Sequence, residues 1–144
     1  MIKDIHYPEV TDIAVAVIKE ETIEGEVWSV YLLNLKDTNI TGVLVTSKGY
    51  GTQNGEEVKT STLRHFIDEM PAKSFAKVEP IMENVFCLSN EYWVSFYVNN
   101  LIHDKKFIFL PETISEQFFT NVPVINKKGV MIVWYCSDVV PVNL

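Results

Sequence analysis

The chain has 144 residues, 47% hydrophobic and 22% charged, long enough to bury a core without disulfides or metal and too apolar to stay disordered. Twelve basic against 19 acidic residues give a net charge of −7, so a phosphate backbone would meet net repulsion and non-specific nucleic-acid binding is disfavoured. The N-terminus MIKDIHYPEVTD lacks the basic-then-apolar layout of a secretory signal, and nowhere do about 18 apolar residues run together as a spanning helix requires; a soluble, cytoplasmic domain occupying residues 1–144, without membrane contact, is expected.

Alternation with period two, dense in Val, Ile, Tyr, Trp and Phe, dominates the chain and predicts strands. The first spans Asp12 to Lys19, apolar on both faces and therefore interior. The second, Glu26 to Leu35, sets Trp28, Val30 and Leu32 against Val27, Tyr31, Leu33 and Leu35. A polar turn, Lys36-Asp37-Thr38-Asn39, leads into the next strand. Asn54-Gly55 then supplies the two positive-φ residues of a tight hairpin, which pairs 43–53 with 56–66. Leu63, Phe66, Ile67 and Met70 also have helical spacing, so a short helix ending at Pro71 competes with the second arm of that hairpin.

Ser74 to Glu79 reads as a short strand before Pro80. Glu91 to Asn99 sets Tyr92, Val94, Phe96 and Val98 against Trp93, Ser95 and Tyr97, and turns through 99–104 into a partner strand, Lys105 to Leu110. Thr113 and Glu116 match a capping box, which predicts a helical turn over Ser115 to Phe119. The chain closes on an apolar strand, Val130 to Tyr135. Eight or so short strands without regular strand–helix alternation predict an all-β fold, two stacked antiparallel sheets or a barrel; the favoured form is an antiparallel β-sandwich, immunoglobulin-like, with Trp28 and Trp93 as candidate core anchors.

Function-bearing motifs are scarce. His6, His65 and His103 are scattered, no Gly-x-Ser-x-Gly occurs, and neither cysteine has a catalytic signature, so no catalytic residue is assigned. Cys87 and Cys136 lie in apolar surroundings and are expected as buried reduced thiols. His and Cys ligands at metal-binding spacing are absent, His103-Asp104 reads as a polar loop, and neither metal nor cofactor is expected. Ser47-Lys48-Gly49-Tyr50-Gly51-Thr52 carries glycines and a lysine, but the lysine comes first and a hairpin follows, which is the wrong context for a phosphate loop. The two glycines are expected to accommodate a bend or bulge.

Aromatic residues, 12% of the chain, cluster at Trp28/Tyr31, Tyr92–Tyr97 and Trp134/Tyr135. Most must be core. Trp93 and Tyr97 share one strand face while Phe96 takes the other, so one row can form an exposed stacking surface. Tyr50, Trp93, Tyr97 and Trp134 are the candidate binding residues. The segment from Val130 onward is a second candidate, either packing on its own domain or adding a strand to a neighbour.

The stretches EVWSVYLLNLKDTNITGVLVTSKGYG and NEYWVSFYVNNLIHDKKF resemble segments of small bacterial proteins labelled as phenylalanyl-tRNA synthetase subunits. The resemblance implies ATP, phenylalanine and tRNA as ligands and a translation-associated role. A synthetase core of that class is a large α/β domain with signature arginines, whereas this chain is short, acidic and strand-rich with one arginine, Arg64, so no catalytic residue is carried over. Three readings follow: a non-enzymatic protein-interaction domain whose expected partner is another copy of itself, a small-ligand module built on aromatic side chains, and a translation-associated accessory protein.

Overall fold

In the computed structural model, which describes residues 10–134, ten strands form two antiparallel sheets. The strands are β1 (Ile13–Thr22), β2 (Gly25–Asn34), β3 (Ile40–Gln53), β4 (Glu56–Lys59), β5 (Leu63–Met70), β6 (Ser74–Ile81), β7 (Ser89–Val98), β8 (Leu101–Phe109), β9 (Thr120–Val122) and β10 (Lys127–Trp134). The first sheet runs β6-β2-β1-β10-β9; the second runs β4-β3-β7-β8, with β5 continuing β4 along the same edge of β3. No helix among the described residues is long and apolar enough to cross a membrane.

Alternation explains how the layers meet. Val15 and Val17 of β1, Val30 and Leu32 of β2, Val43 and Val45 of β3, Val94 and Phe96 of β7, and Phe107 and Phe109 of β8 interlock between the sheets. Burying such side chains stabilises the fold by about 1.5–3 kcal/mol each. The two-sided apolar pattern of β1 reflects its central position, with Ala14, Ala16 and Ile18 in a second cluster on the outer face of its sheet with Tyr31, Leu33 and Val122. Trp28 belongs to the core, edge-on to Phe86 at 5.1 Å. Trp93, the other expected anchor, does not: it stands on the outer face of the second sheet, because the parity of β7 sends Tyr92, Val94 and Phe96 inward.

Several expectations are corrected. Residues 63–70 form a strand rather than a helix, since the ladder to β3 takes up their backbone groups. The Asn54-Gly55 hairpin forms, with φ of 53° and 81°. Its register nevertheless shifts: Tyr50 pairs Lys59 but Ser47 pairs Leu63, so Lys48 and Gly49 face three residues, Thr60 to Thr62. This bulge lies on the return strand, opposite the glycine where it was expected. A second register shift falls at Gly42, φ 55°, where Tyr97 overlies the backbone and a Cβ would stand 3.1 Å from its ring. The β7–β8 turn is only Asn99-Asn100, with φ of 53° and 64°, so His103 and Asp104 are strand residues and not a loop. The helical turn is a 3-10 turn, Glu116–Phe118, capped by Ser115; Thr113 instead donates to the Leu110 carbonyl. Cys87 is half-buried rather than buried, accepting from Gln53 Nε2. Cys136 lies outside the described residues.

Candidate functional site

The outer face of the second sheet assembles from register alone. Arg64, Thr46, Trp93 and Lys106 form one cross-strand row; Phe66, Leu44, Ser95 and Asp104 form the next; Tyr97 and Ile102 follow beyond it, and Lys48, Glu91 and Ile108 lie on the other side. The extra residue at Thr60 to Thr62 decides half of this surface. A bulge inverts the inside–outside parity of the strand that follows, so Phe66 pairs with Leu44 and points outward, while His65 pairs with Val45 and points inward. Phe66 is consequently 66% exposed, with Trp93 at 44%, Ile102 at 44%, Tyr97 at 41% and Leu44 at 37%. Large apolar side chains contiguous on one sheet face are unusual for a solvated surface.

Charged groups hold the aromatic side chains in place. Lys106 Nζ lies 4.8 Å from the centre of the Trp93 ring, and Lys48 Nζ 5.9 Å from that of Tyr50. Tyr50 Oη donates to Glu91 Oε1 at 3.1 Å, joining β3 to β7. Burial first, then the Glu91 hydrogen bond and charge, raise the Tyr50 hydroxyl above its ordinary range. Tyr50, Trp93 and Tyr97 thus share one face; the period-two pattern implies this for Trp93 and Tyr97, and the β3–β7 register adds Tyr50. Trp134 does not join them: its backbone pairs with Ile13 in the first sheet, and its side chain lies outside the described residues. Val130 to Trp134 packs on its own domain through β1.

A second polar constellation, which no sequence motif announces, sits between the sheets. Glu79 of β6, its side chain 11% exposed, accepts from Ser47 Oγ at 3.0 Å and faces His65 Nε2 at 2.7 Å through Oε1, and accepts from Tyr92 Oη at 3.1 Å through Oε2. Burial, with the charge and hydrogen bond of Glu79, drives the Tyr92 hydroxyl far above its ordinary value. Serine and histidine both address the carboxylate rather than each other, so the nucleophile-to-base hydrogen bond of a Ser-His-acid site is missing. Glu79, Ser47 and Tyr92 border a cavity of about 180 Å³ whose apolar walls include Leu63, Ile81, Met82 and Val85. The signal that locates this cluster is inward-facing parity at Ser47, His65 and Tyr92, which becomes legible only once the bulge is known. Among the described residues no three His, Cys, Asp or Glu side chains converge as metal ligands.

No protein-family model matches the chain, and no curated protein matches it.

Proposed function

We propose that this immunoglobulin-like sandwich is a non-enzymatic protein-interaction domain that self-associates through the outer face of its second sheet. The observation that carries the reading is the contiguous exposure of Phe66, Leu44, Trp93, Tyr97 and Ile102 on one face. Burying them would recover the hydrophobic free energy that exposure forfeits, about 25 cal/mol per Å².

The arrangement is self-complementary. A twofold axis lying across the strands, between the Trp93 row and the Ser95 row, exchanges those rows in a second copy. Lys106 then meets Asp104, Arg64 meets the Phe66 ring, Glu91 meets Tyr97 and Ile108 meets Ile102, each against the other copy. Opposite-charge, cation–π, carboxylate–phenol and apolar pairs fall together without a like-charge clash. Trp93 meets the small Ser95, which leaves space for the indole.

Size-exclusion chromatography with light scattering tests the proposal. The full chain is expected to run as a dimer, and Phe66→Glu/Trp93→Glu as a folded monomer with an unchanged circular dichroism spectrum. A monomeric full chain at high micromolar concentration, or a dimer that survives both substitutions, would overturn it.

A further inference from the structure

We propose that the cavity between β6 and the bulge at Thr60 to Thr62 is a binding site for a small primary ammonium ion carrying a short apolar chain, held by Glu79. The inference is independent of self-association, because the cavity opens between the sheets whereas the aromatic face lies outside the second one.

Charge defines the ligand. A carboxylate offers about four acceptor positions; Ser47 and His65 occupy two on Oε1 and Tyr92 one on Oε2, which leaves an acceptor position on Oε2. Among the described residues, Lys48 is the lysine or arginine that borders the cavity, and its ammonium is directed outward, over the Tyr50 ring. Among the described residues the basic partner of this nearly buried carboxylate is His65, on Oε1, and a ligand that brings an ammonium to the remaining position on Oε2 would complete its hydrogen bonding beside the apolar space.

Other oxygen-bearing side chains line the cavity. Asn90 Nδ2 donates to the carbonyls of Val85 and Leu88 at 3.0 and 3.2 Å, which turns Oδ1 toward Gly49, 3.2 Å from where a Cβ would stand. An ammonium group has three N–H donors, and Glu79, Asn90, Thr60 and Ser61 border the same space. Leu63, Ile81, Met82 and Val85 supply the walls for a hydrocarbon tail. A cavity near 180 Å³ accommodates about six carbon-sized atoms, the size of a butyl- or pentylammonium ion.

The experiment is an amide chemical-shift titration of the full chain with butylamine hydrochloride at neutral pH, with 1-butanol as the uncharged match. Saturable shifts at Gly49, Ser61, Met82 and Asn90 are expected with butylammonium, and binding of 1-butanol at least about tenfold weaker, the factor a charged hydrogen bond contributes. Glu79→Gln should erase that preference. Should Glu79→Gln fail to fold, Ser61→Trp, on the exposed bulge and clear of the carboxylate, should abolish binding by filling the mouth while the remaining amide shifts stay native. Absence of saturable shifts, equal binding of the alcohol, or an affinity indifferent to the substitution that folds would overturn the proposal.

Discussion

Asn34 shows how one buried amide fixes two chain crossings. It is fully buried at the end of β2, where Nδ2 donates to the carbonyls of Thr38, Met70 and Pro71 and Oδ1 accepts from Lys36 N. It thereby ties the connection between β2 and β3 to the one between β5 and β6. Asn34→Ala orphans those groups and should cost about 2–4 kcal/mol, read as a lower urea midpoint at unchanged slope. Glu20 and Tyr31 make a titratable counterpart on the outer face of the first sheet. Burial alone would raise the Glu20 carboxyl, but hydrogen bonds from Tyr31 and Ser29 and the charge of Lys77 outweigh it and hold the group below its usual range. Tyr31 is pushed up to about 12, by burial first and then by Glu20. The depressed carboxyl contributes stability above its unfolded value, lost as pH falls through its folded one; the raised phenol contributes below about pH 10, its unfolded value, lost as pH climbs toward its folded one. Tyr31→Phe should therefore flatten the alkaline limb of a stability-versus-pH curve, and Glu20→Gln the acid limb. Limbs of unchanged slope would contradict the assignment.

Among the elements, close strand approach sets the tightest requirement. Gly129 of β10 lies where an added Cβ would come within 2.6 Å of the Val17 carbonyl oxygen, so Gly129→Ala must push β10 away from β1 and should destabilise by about 1–3 kcal/mol, measured by thermal unfolding. Strand identities were legible wherever alternation was long: β1, β2, β7 and β10 lie within a few residues of their expected bounds. Asn54-Gly55 announced its hairpin because only positive-φ residues close that turn. That Trp93 and Tyr97 share one row followed from parity in the same way, but which row faces outward did not, and Trp93 was expected as a core anchor. The bulge at Thr60 to Thr62 was not legible, since Thr, Ser and Thr are ordinary strand residues and the extra residue answers to packing across the sheets. That single unread residue concealed both the exposure of Phe66 and the inward turn of His65, and with them half of the aromatic face and the Glu79 cluster. The short β9 escaped notice because three residues carry no period.

At the scale of the molecule, the two sheets differ in what they leave on their outer faces. The first buries Ala14, Ala16 and Ile18 completely and leaves Phe75 as its exposed aromatic side chain, whereas the second presents Phe66, Trp93, Tyr97, Leu44 and Ile102 together. The proposed self-association uses the second sheet, and the chain's three tryptophans allow a direct reading. Indole N–H resonances followed on dilution from high to low micromolar concentration separate the alternatives, with Trp28, buried and bonded through Nε1 to Glu83 at 2.9 Å, as the internal reference. The account predicts that Trp93 shifts with concentration along a monomer–dimer isotherm while Trp28 stays fixed. A Trp93 signal unmoved by dilution, or a concentration dependence carried by Trp134 instead, would contradict it.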